Sequence, residues 1–193
     1  MKKTTKELLL QTGAAIILKK GFNATGIQEI LRAADVPKGS FYFYFASKEE
    51  FGIALIDYYA QEYIRKIDIK LKNKCLPPFI RLRNFFAAYS KECEENHFSG
   101  GNMLANLALE LSDSYESIRT RLRYVYTIIT GKFADCLKEA QQNGLLAKSL
   151  NPKETAEFMV SAWEGTLLQA RVVKNMRPFN HFSTIMFQVL GKH

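Results

Sequence analysis

The residues best suited to recognise another molecule lie together in the run Lys38-Gly39-Ser40-Phe41-Tyr42-Phe43-Tyr44-Phe45. Lysine can meet a phosphate or a guanine, the serine hydroxyl can donate to or accept from a base edge, and tyrosine hydroxyls can reach phosphates beside a groove. Gly39 lets a backbone come close to a duplex. Phe41 and Phe45, four residues apart, share one helix face and are predicted to anchor the segment.

Two short helices must position these side chains. A helix predicted over residues 25–34 carries an apolar face, formed by Ile27, Ile30, Leu31 and Ala34. The cluster Asp35-Val36-Pro37-Lys38-Gly39 then breaks the helix, and a second helix begins near Lys38. Two short helices joined in this way outline a helix-turn-helix, whose second helix enters the major groove of DNA.

The run continues through Ala46 to Ser47-Lys48-Glu49-Glu50-Phe51 and is preceded by Gly21-Phe22, Thr25, Ile30 and Ala33-Ala34. Over residues 4–51 this pattern closely resembles the DNA-binding region of TetR-family transcriptional regulators. The resemblance is looser, but consistent in length and helix order, over the remainder. It implies phosphate contacts at Thr25, Tyr42, Tyr44 and Lys48, although position 44 is often histidine in relatives.

Lys48 stands at a predicted helix start, where the helix dipole favours acids. A phosphate oxygen is therefore its expected partner, and the alternative is a lysine that is merely solvated. The predicted DNA-binding residues are Thr25, Lys38, Gly39, Ser40, Tyr42, Tyr44 and Lys48.

Helix signals recur along the whole chain, and strand alternation is nearly absent, which predicts an all-α protein of about nine helices. Four possible capping boxes mark helix starts: Thr4 with Glu7, Thr25 with Gln28, Ser47 with Glu50, and Asn151 with Glu154. Breaks are predicted at Gly21, Pro77-Pro78, Ser99-Gly100-Gly101, Gly144 and Arg177-Pro178. We predict a DNA-binding domain over residues 1–46 and an effector-binding and dimerisation domain over residues 47–193.

The resemblance implies that the larger C-terminal part binds an inducer and forms the dimer. Small residues on the next-to-last helix could let a partner approach closely, with apolar contacts from the last helix, and the alternative is packing inside one subunit. The predicted dimer residues are Ser161, Ala162, Gly165, Thr166, Met186 and Leu190. The predicted effector residues, each of which could also be plain core, are Tyr58, Phe86, Tyr89, Met103, Leu107, Tyr126 and Trp163. Abundant aromatic residues with few charges indicate a small, largely apolar or aromatic effector.

The charge and cysteine content of the chain indicate which partners and which cellular compartment suit it. The chain carries 27 Lys and Arg residues against 19 Asp and Glu, a net charge of +8, which favours nucleic acid or an acidic membrane face as partner. Cys75, Cys93 and Cys136 are too few and scattered for a disulfide framework, which indicates a reducing, cytoplasmic setting. The chain also resembles a subgroup in which a cysteine follows Gly101. Some members of that subgroup use the thiol of this cysteine to sense electrophiles. Asn102 stands at the position here, so that mechanism is not carried over to this chain.

Two other classes remain open. A small all-α enzyme using the C-terminal cavity would need a nucleophile, a base and an orienting group in one place. The chain has only three histidines, and one of them is the terminal His193, which disfavours this class. A helical module for acidic membranes would explain the charge but not the run from Lys38 to Phe45. Cys93 and His97 lie four apart, but two ligands fall short of a metal site. We expect no catalytic residue, metal or cofactor, and we expect operator DNA, a small effector and a second copy of the chain as partners.

Overall fold

A computed structural model describes residues 4–191, and within that range the chain is all-α, as predicted. No strand occurs among these residues. The helices are α1 (Thr5–Lys20), α2 (Ile27–Ala34), α3 (Lys38–Tyr44), α4 (Lys48–Leu71), α5 (Pro78–Glu95), α6 (Met103–Leu111), α7 (Glu116–Gln142), α8 (Pro152–Val173) and α9 (Arg177–Leu190).

The predicted helix starts are confirmed where the capping side chain reaches the first turn. The amide of Glu7 donates to Thr4 Oγ1 at 3.2 Å and the amide of Thr4 donates to Glu7 Oε2 at 2.9 Å, which completes a capping box. Asn151 Oδ1 accepts from two amides of the first turn of α8. Ser47 Oγ accepts from the amide of Glu50 at 3.1 Å. These bonds satisfy donors that a helix leaves free at its start.

Two predicted boundaries are wrong. Helix α2 begins at Ile27 behind Gly26, and the Thr25 hydroxyl donates to the carbonyl of Gly21 at 2.6 Å, so Thr25 does not cap this helix. The predicted break at Arg177-Pro178 instead lies inside the first turn of α9, which begins at Arg177. Proline is tolerated there because the first turn needs no amide donor from it.

The chain divides into two compact units. The first comprises the residues up to Gln61 with Asn102–Val125, and in it α1 contacts α2, α3 and α6, while α2 contacts α3. The second comprises Glu62–Gly101 and the residues from Tyr126 onward, and in it α9 contacts α8 and α5. The expected functional boundary between residues 46 and 47 stays a prediction, because spatial grouping does not report where function divides.

Candidate nucleic-acid interface

The break between α2 and α3 consists of Asp35, Val36 and Pro37. Asp35 takes the left-handed conformation (φ 53°), which aspartate tolerates better than most residues. The amide of Val36 then donates back to the carbonyl of Leu31 at 3.2 Å, which closes the end of α2. Pro37 is extended and immediately precedes α3. Helix α3 therefore starts separately from α2, with Lys38 and Gly39 in its first turn.

The buried side of α3 is held by three phenylalanine rings, as predicted for two of them. Phe41, Phe45 and Phe51 are all buried. Their ring centroids lie 5.2 Å apart for Phe41 and Phe45, 5.5 Å for Phe41 and Phe51, and 5.1 Å for Phe45 and Phe51. These separations are those of favourable aromatic packing. The rings thus fix α3 on α4, whose second turn supplies Phe51.

The other side of α3 faces solvent. Lys38 and Gly39 are exposed, Ser40 and Tyr44 are half-buried, and Tyr42 is 51% exposed. A Cβ added at Gly39 would meet no atom within 4 Å. The fold itself therefore does not require glycine at this position, and the space in front of it is open to a ligand.

Sequence reasoning missed Phe43, which is 80% exposed on α3. A phenylalanine so exposed is unexplained by packing, since its ring contacts only the neighbouring Tyr44, at 4.9 Å, among the ring pairs of the described residues. Phenylalanine can make apolar contact with the methyl group of thymine in the major groove. Its position between Phe41 and Phe45, both on the buried face, was the signal that could have identified it.

Two of the residues predicted to contact DNA have partners inside the protein. Thr25 is fully buried, and its hydroxyl is used by Gly21, so its side chain is not presented to a phosphate in this conformation. Lys48 Nζ donates to the carbonyl of Asn23 at 3.2 Å and lies 4.8 Å from the centre of the Phe22 ring. Partial burial lowers the pKa of Lys48, and the nearby Glu110 carboxylate opposes that shift. The phosphate contact of Lys48 stays a prediction.

The predicted effector residues fall into both units. Tyr58, Met103 and Leu107 belong to the first; Met103 and Leu107 are buried, and Tyr58 accepts from Gln11 Nε2 at 2.7 Å. The other four belong to the second, where the Trp163 ring centroid lies 4.8 Å from that of Phe86 and 5.6 Å from that of Tyr89.

Polar groups accompany this aromatic cluster of the second unit. Burial raises the pKa of Tyr89 and that of Tyr126, and the Glu164 carboxylate raises both further. The Trp163 indole N–H is buried and has no acceptor among the described residues. A buried donor without an acceptor is rare in folded proteins. The cluster could therefore offer a hydrogen bond to a bound molecule.

The three cysteines differ in their exposure to solvent. Cys75 is exposed, whereas burial raises the pKa of both Cys93 and Cys136 to about 11, which disfavours the nucleophilic thiolate. Asn102 Oδ1 accepts from the amide of Leu104 at 3.0 Å and so caps α6. No three His, Cys, Asp or Glu residues in the described range are grouped as metal ligands would be. None of the helices between residues 4 and 191 is both long and apolar enough to cross a bilayer.

The residues predicted for dimer contact separate by helix. On α8, Ser161 and Gly165 are exposed and Ala162 and Thr166 half-buried, as a contact surface requires. On α9, Met186 and Leu190 are buried within the chain, so they are poorly placed to meet a partner. The exposed apolar residues beside them are Phe158, Ile185 and Val189. A groove of about 510 Å³ runs between α8 and α9, lined in part by Phe158, Ala162, Gly165, Thr166, Ile185 and Met186.

Comparison with known proteins identifies relatives over almost the whole chain. A family profile described as "Bacterial regulatory proteins, tetR family" matches residues 9–55, and one described as "Tetracyclin repressor-like, C-terminal domain" matches residues 78–186. The HTH-type transcriptional repressor DhaR of Mycobacterium sp. (strain GP1) is 31% identical, over 96% of this chain and 91% of its own length. The transcriptional regulator AcuR of Cereibacter sphaeroides is 32% identical, over 96% and 83% respectively.

Solved structures agree with these matches. A regulatory protein TetR from Rhodobacter sphaeroides superposes with a TM-score of 0.89 at 32% identity, covering 95% of this chain and 97% of that one. The reduced form of Escherichia coli NemR superposes with a TM-score of 0.81 at 29% identity, covering 97% of each chain.

Proposed function

Because the chain belongs to the TetR family of bacterial transcriptional regulators and carries that family's DNA-binding helix-turn-helix, we propose that it is a homodimeric repressor that a small molecule releases from a pseudo-palindromic operator. The observation that carries the proposal is α3, which is anchored by buried rings on one side and presents Lys38, Gly39 and Tyr42 on the other. Its partner is double-stranded DNA, so it acts in the cytoplasm.

In this proposal the residues of α3 divide the work of recognition. Lys38 and the hydroxyls of Tyr42 and Tyr44 contact phosphates, which sets the position of α3 but carries no sequence information. Ser40 and the exposed Phe43 reach base edges, where a hydroxyl reads polar groups and a phenyl ring reads a thymine methyl. Gly39 allows the first turn of α3 to approach the duplex.

The dimer is proposed to form through α8 and α9. One seven-residue helix reads too few base pairs for specificity, so two copies must present α3 to half-sites about 34–36 Å apart, or at a related spacing. The groove between these helices, with Gly165 open and Phe158, Ile185 and Val189 exposed, supports this assignment. Exposed apolar side chains grouped along two neighbouring helices are typical of an interaction surface.

The effector is proposed to bind at the aromatic cluster formed by Phe86, Tyr89, Tyr126 and Trp163. The rings favour a small apolar or aromatic molecule, and the Trp163 N–H favours one that also carries a hydrogen-bond acceptor. Such a ligand weakens DNA binding only if it binds more tightly to the conformation in which the two copies of α3 are wrongly spaced.

Selection of bound fragments from random duplex DNA tests the proposal. We expect a palindrome to be recovered. The Tyr42→Ala variant should bind all duplexes more weakly, whereas the Ser40→Ala variant should change the preference among sequences. Tyr124→Ala is the matched control, because Tyr124 is similarly exposed but lies on α7. If no palindrome is recovered and both α3 variants bind like the control, α3 is not the reading helix.

The effector site has its own test, because Trp163 is the single tryptophan of the chain. A panel of small aromatic and apolar compounds that carry an acceptor is titrated while tryptophan fluorescence is recorded. A compound that changes the fluorescence should also release the selected duplex, and Tyr89→Phe should alter its affinity. A compound that releases the duplex without any effect on Trp163 emission would place the effector elsewhere.

A further inference from the structure

A carboxylate on α6 holds the turn that joins α1 to α2. Glu110 Oε2 accepts from the amide of Phe22 at 2.7 Å, and Oε1 accepts from the amide of Asn23 at 2.6 Å. The two oxygens thus bind two successive N–H groups of one turn. Hydrogen bonds to an ionised acceptor are short and roughly twice as strong as those between neutral groups.

Gly21 makes this contact possible. Its φ of 89° lies in the region that disfavours side chains. A Cβ added there would also lie 3.1 Å from Glu110 Oε2 and 3.2 Å from Oε1. A side chain at position 21 would therefore push against the carboxylate as well as strain the backbone. The contact between Glu110 and the turn thus depends on glycine at this position.

Lys48 stabilises the other side of the same turn. Its ammonium group donates to the carbonyl of Asn23 and lies over the Phe22 ring, while the charge of Glu110 favours its protonated form. The turn therefore has an anion on its N–H groups and a cation on a carbonyl. Phe22 itself is buried, and its ring lies 3.1 Å from where a Cβ of Gly52 would stand.

We propose that Glu110 is a positioning residue for DNA recognition. It touches no DNA; it fixes Phe22 and Asn23, and these fix the point from which α2 leaves α1. Because α2 contacts α3, loss of the carboxylate displaces the recognition helix. This assignment rests on the proposed function and extends it, since it places a determinant of DNA affinity in α6, outside the helix-turn-helix.

The test compares Glu110→Gln with Glu116→Gln in the full-length protein. Glutamine keeps the size of glutamate, but its NH₂ group cannot accept, so one of the two amides loses its partner. Glu116 is an exposed glutamate at the start of α7 that pairs with Arg119, which makes it a matched control. The probe is the duplex recovered by selection, and binding is measured by fluorescence anisotropy over a range of salt concentrations.

We expect Glu110→Gln to weaken duplex binding about tenfold, the change that corresponds to loss of one hydrogen bond to a charged group. The salt dependence should stay as in wild type, because no phosphate contact is removed. The amide ¹H–¹⁵N resonances of Phe22 and Asn23 should shift. Glu116→Gln should leave affinity and both resonances unchanged.

Three results would overturn the assignment. Glu110→Gln with wild-type affinity would do so, and so would unshifted resonances of Phe22 and Asn23. A loss of affinity fully explained by unfolding, seen as an equal loss of helix content, would reduce Glu110 to a stabilising residue. Should Glu110→Gln not fold, Glu110→Asp keeps the charge and is expected to hold only one amide, with a smaller loss of affinity. Wild-type protein that binds no duplex would refute the proposed function instead.

Discussion

Replacement of Gly13 by alanine should move the recognition helix through a single ring contact. Gly13 lies buried in the middle of α1, and an added Cβ would stand 2.6 Å from Phe51 Cζ, 3.2 Å from Cε1 and 3.3 Å from Ile30 Cδ1. To reach an ordinary contact of 3.4 Å, the ring must move by roughly 0.8 Å. Phe51 is 0% exposed and packed on Phe41 and Phe45, so it cannot move without displacing α3.

Two opposing effects set the expected stability. Alanine is favoured over glycine inside a helix by about 1 kcal/mol. Overpacking a filled core costs about 1–3 kcal/mol. The net change is a loss of about 1 kcal/mol, or about 2–4 °C in melting temperature for a chain of this size. Duplex affinity should fall about tenfold, equivalent to about 1.4 kcal/mol, because the ring that moves supports α3 directly.

The matched control is Gly131→Ala. Gly131 is exposed in α7, and a Cβ added there would meet nothing within 4 Å. Only the gain in helix propensity remains, so the melting temperature should rise by about 2–4 °C with unchanged duplex affinity. Both variants are melted at one protomer concentration, because the stability of a dimer depends on it. If Gly13→Ala stabilises as Gly131→Ala does and binds the duplex like wild type, the ring contact does not hold α3.

Three further outcomes follow from other contacts. Gly165→Trp should convert the dimer to a monomer in light scattering, because a Cβ at this position meets nothing within its own chain; an intact dimer would place the interface elsewhere. Lys38→Ala should lower affinity for every duplex alike and reduce the salt slope by about one, and an unchanged slope would remove Lys38 from the phosphates. Hydrogen bonds from Lys74 and then Arg81 lower the pKa of Glu139 in the folded protein. The stability that these bonds contribute is therefore fully present above the ordinary pKa of 4.5, and it is lost as the pH falls through the lower pKa of the folded state. Glu139→Gln should flatten that acid limb, and an unchanged pH profile would contradict the ion pairing.

Local pattern predicted most of the fold and the face of α3 that meets solvent. The spacing of Phe41 and Phe45 is a property of a single helix, so it could be read without knowledge of neighbours, and both rings are buried. The same argument, carried one step further, would have identified Phe43, which lies between them and faces outward. Proline and glycine located the breaks because their backbone restrictions act at the residue itself.

The partners of two polar side chains could not be predicted from sequence pattern, because tertiary contacts determine them. Thr25 has the spacing of a capping box, but its hydroxyl donates to Gly21 instead, since α2 starts two residues later. The ammonium group of Lys48 contacts the Asn23 carbonyl and the Phe22 ring, partners that its place at a helix start does not indicate, and its phosphate contact stays a prediction. Nothing in the residue types distinguishes these partners.

Glu110 was unpredictable for a related reason. Its contacts with Phe22 and Asn23 join residues 88 and 87 positions apart, and no periodicity reports such a pairing. The prediction of the effector residues was limited for the same reason. A list of aromatic residues could be drawn from the sequence, but not the division that puts Tyr58, Met103 and Leu107 in one unit and the remainder in the other.

The reach of Glu110 across those positions bears on how such regulators can be recombined. A chimera that joins residues 1–46 of this protein to the body of another regulator would leave behind the carboxylate that satisfies the Phe22 and Asn23 amides. The transferred segment would keep Lys38, Gly39 and the predicted DNA-facing side chains of α3, and we still expect it to bind its operator more weakly. A chimera should therefore take α6 from the same parent as residues 1–46, or carry an acidic residue at the position of Glu110. The part that can be exchanged between regulators is then not continuous in sequence.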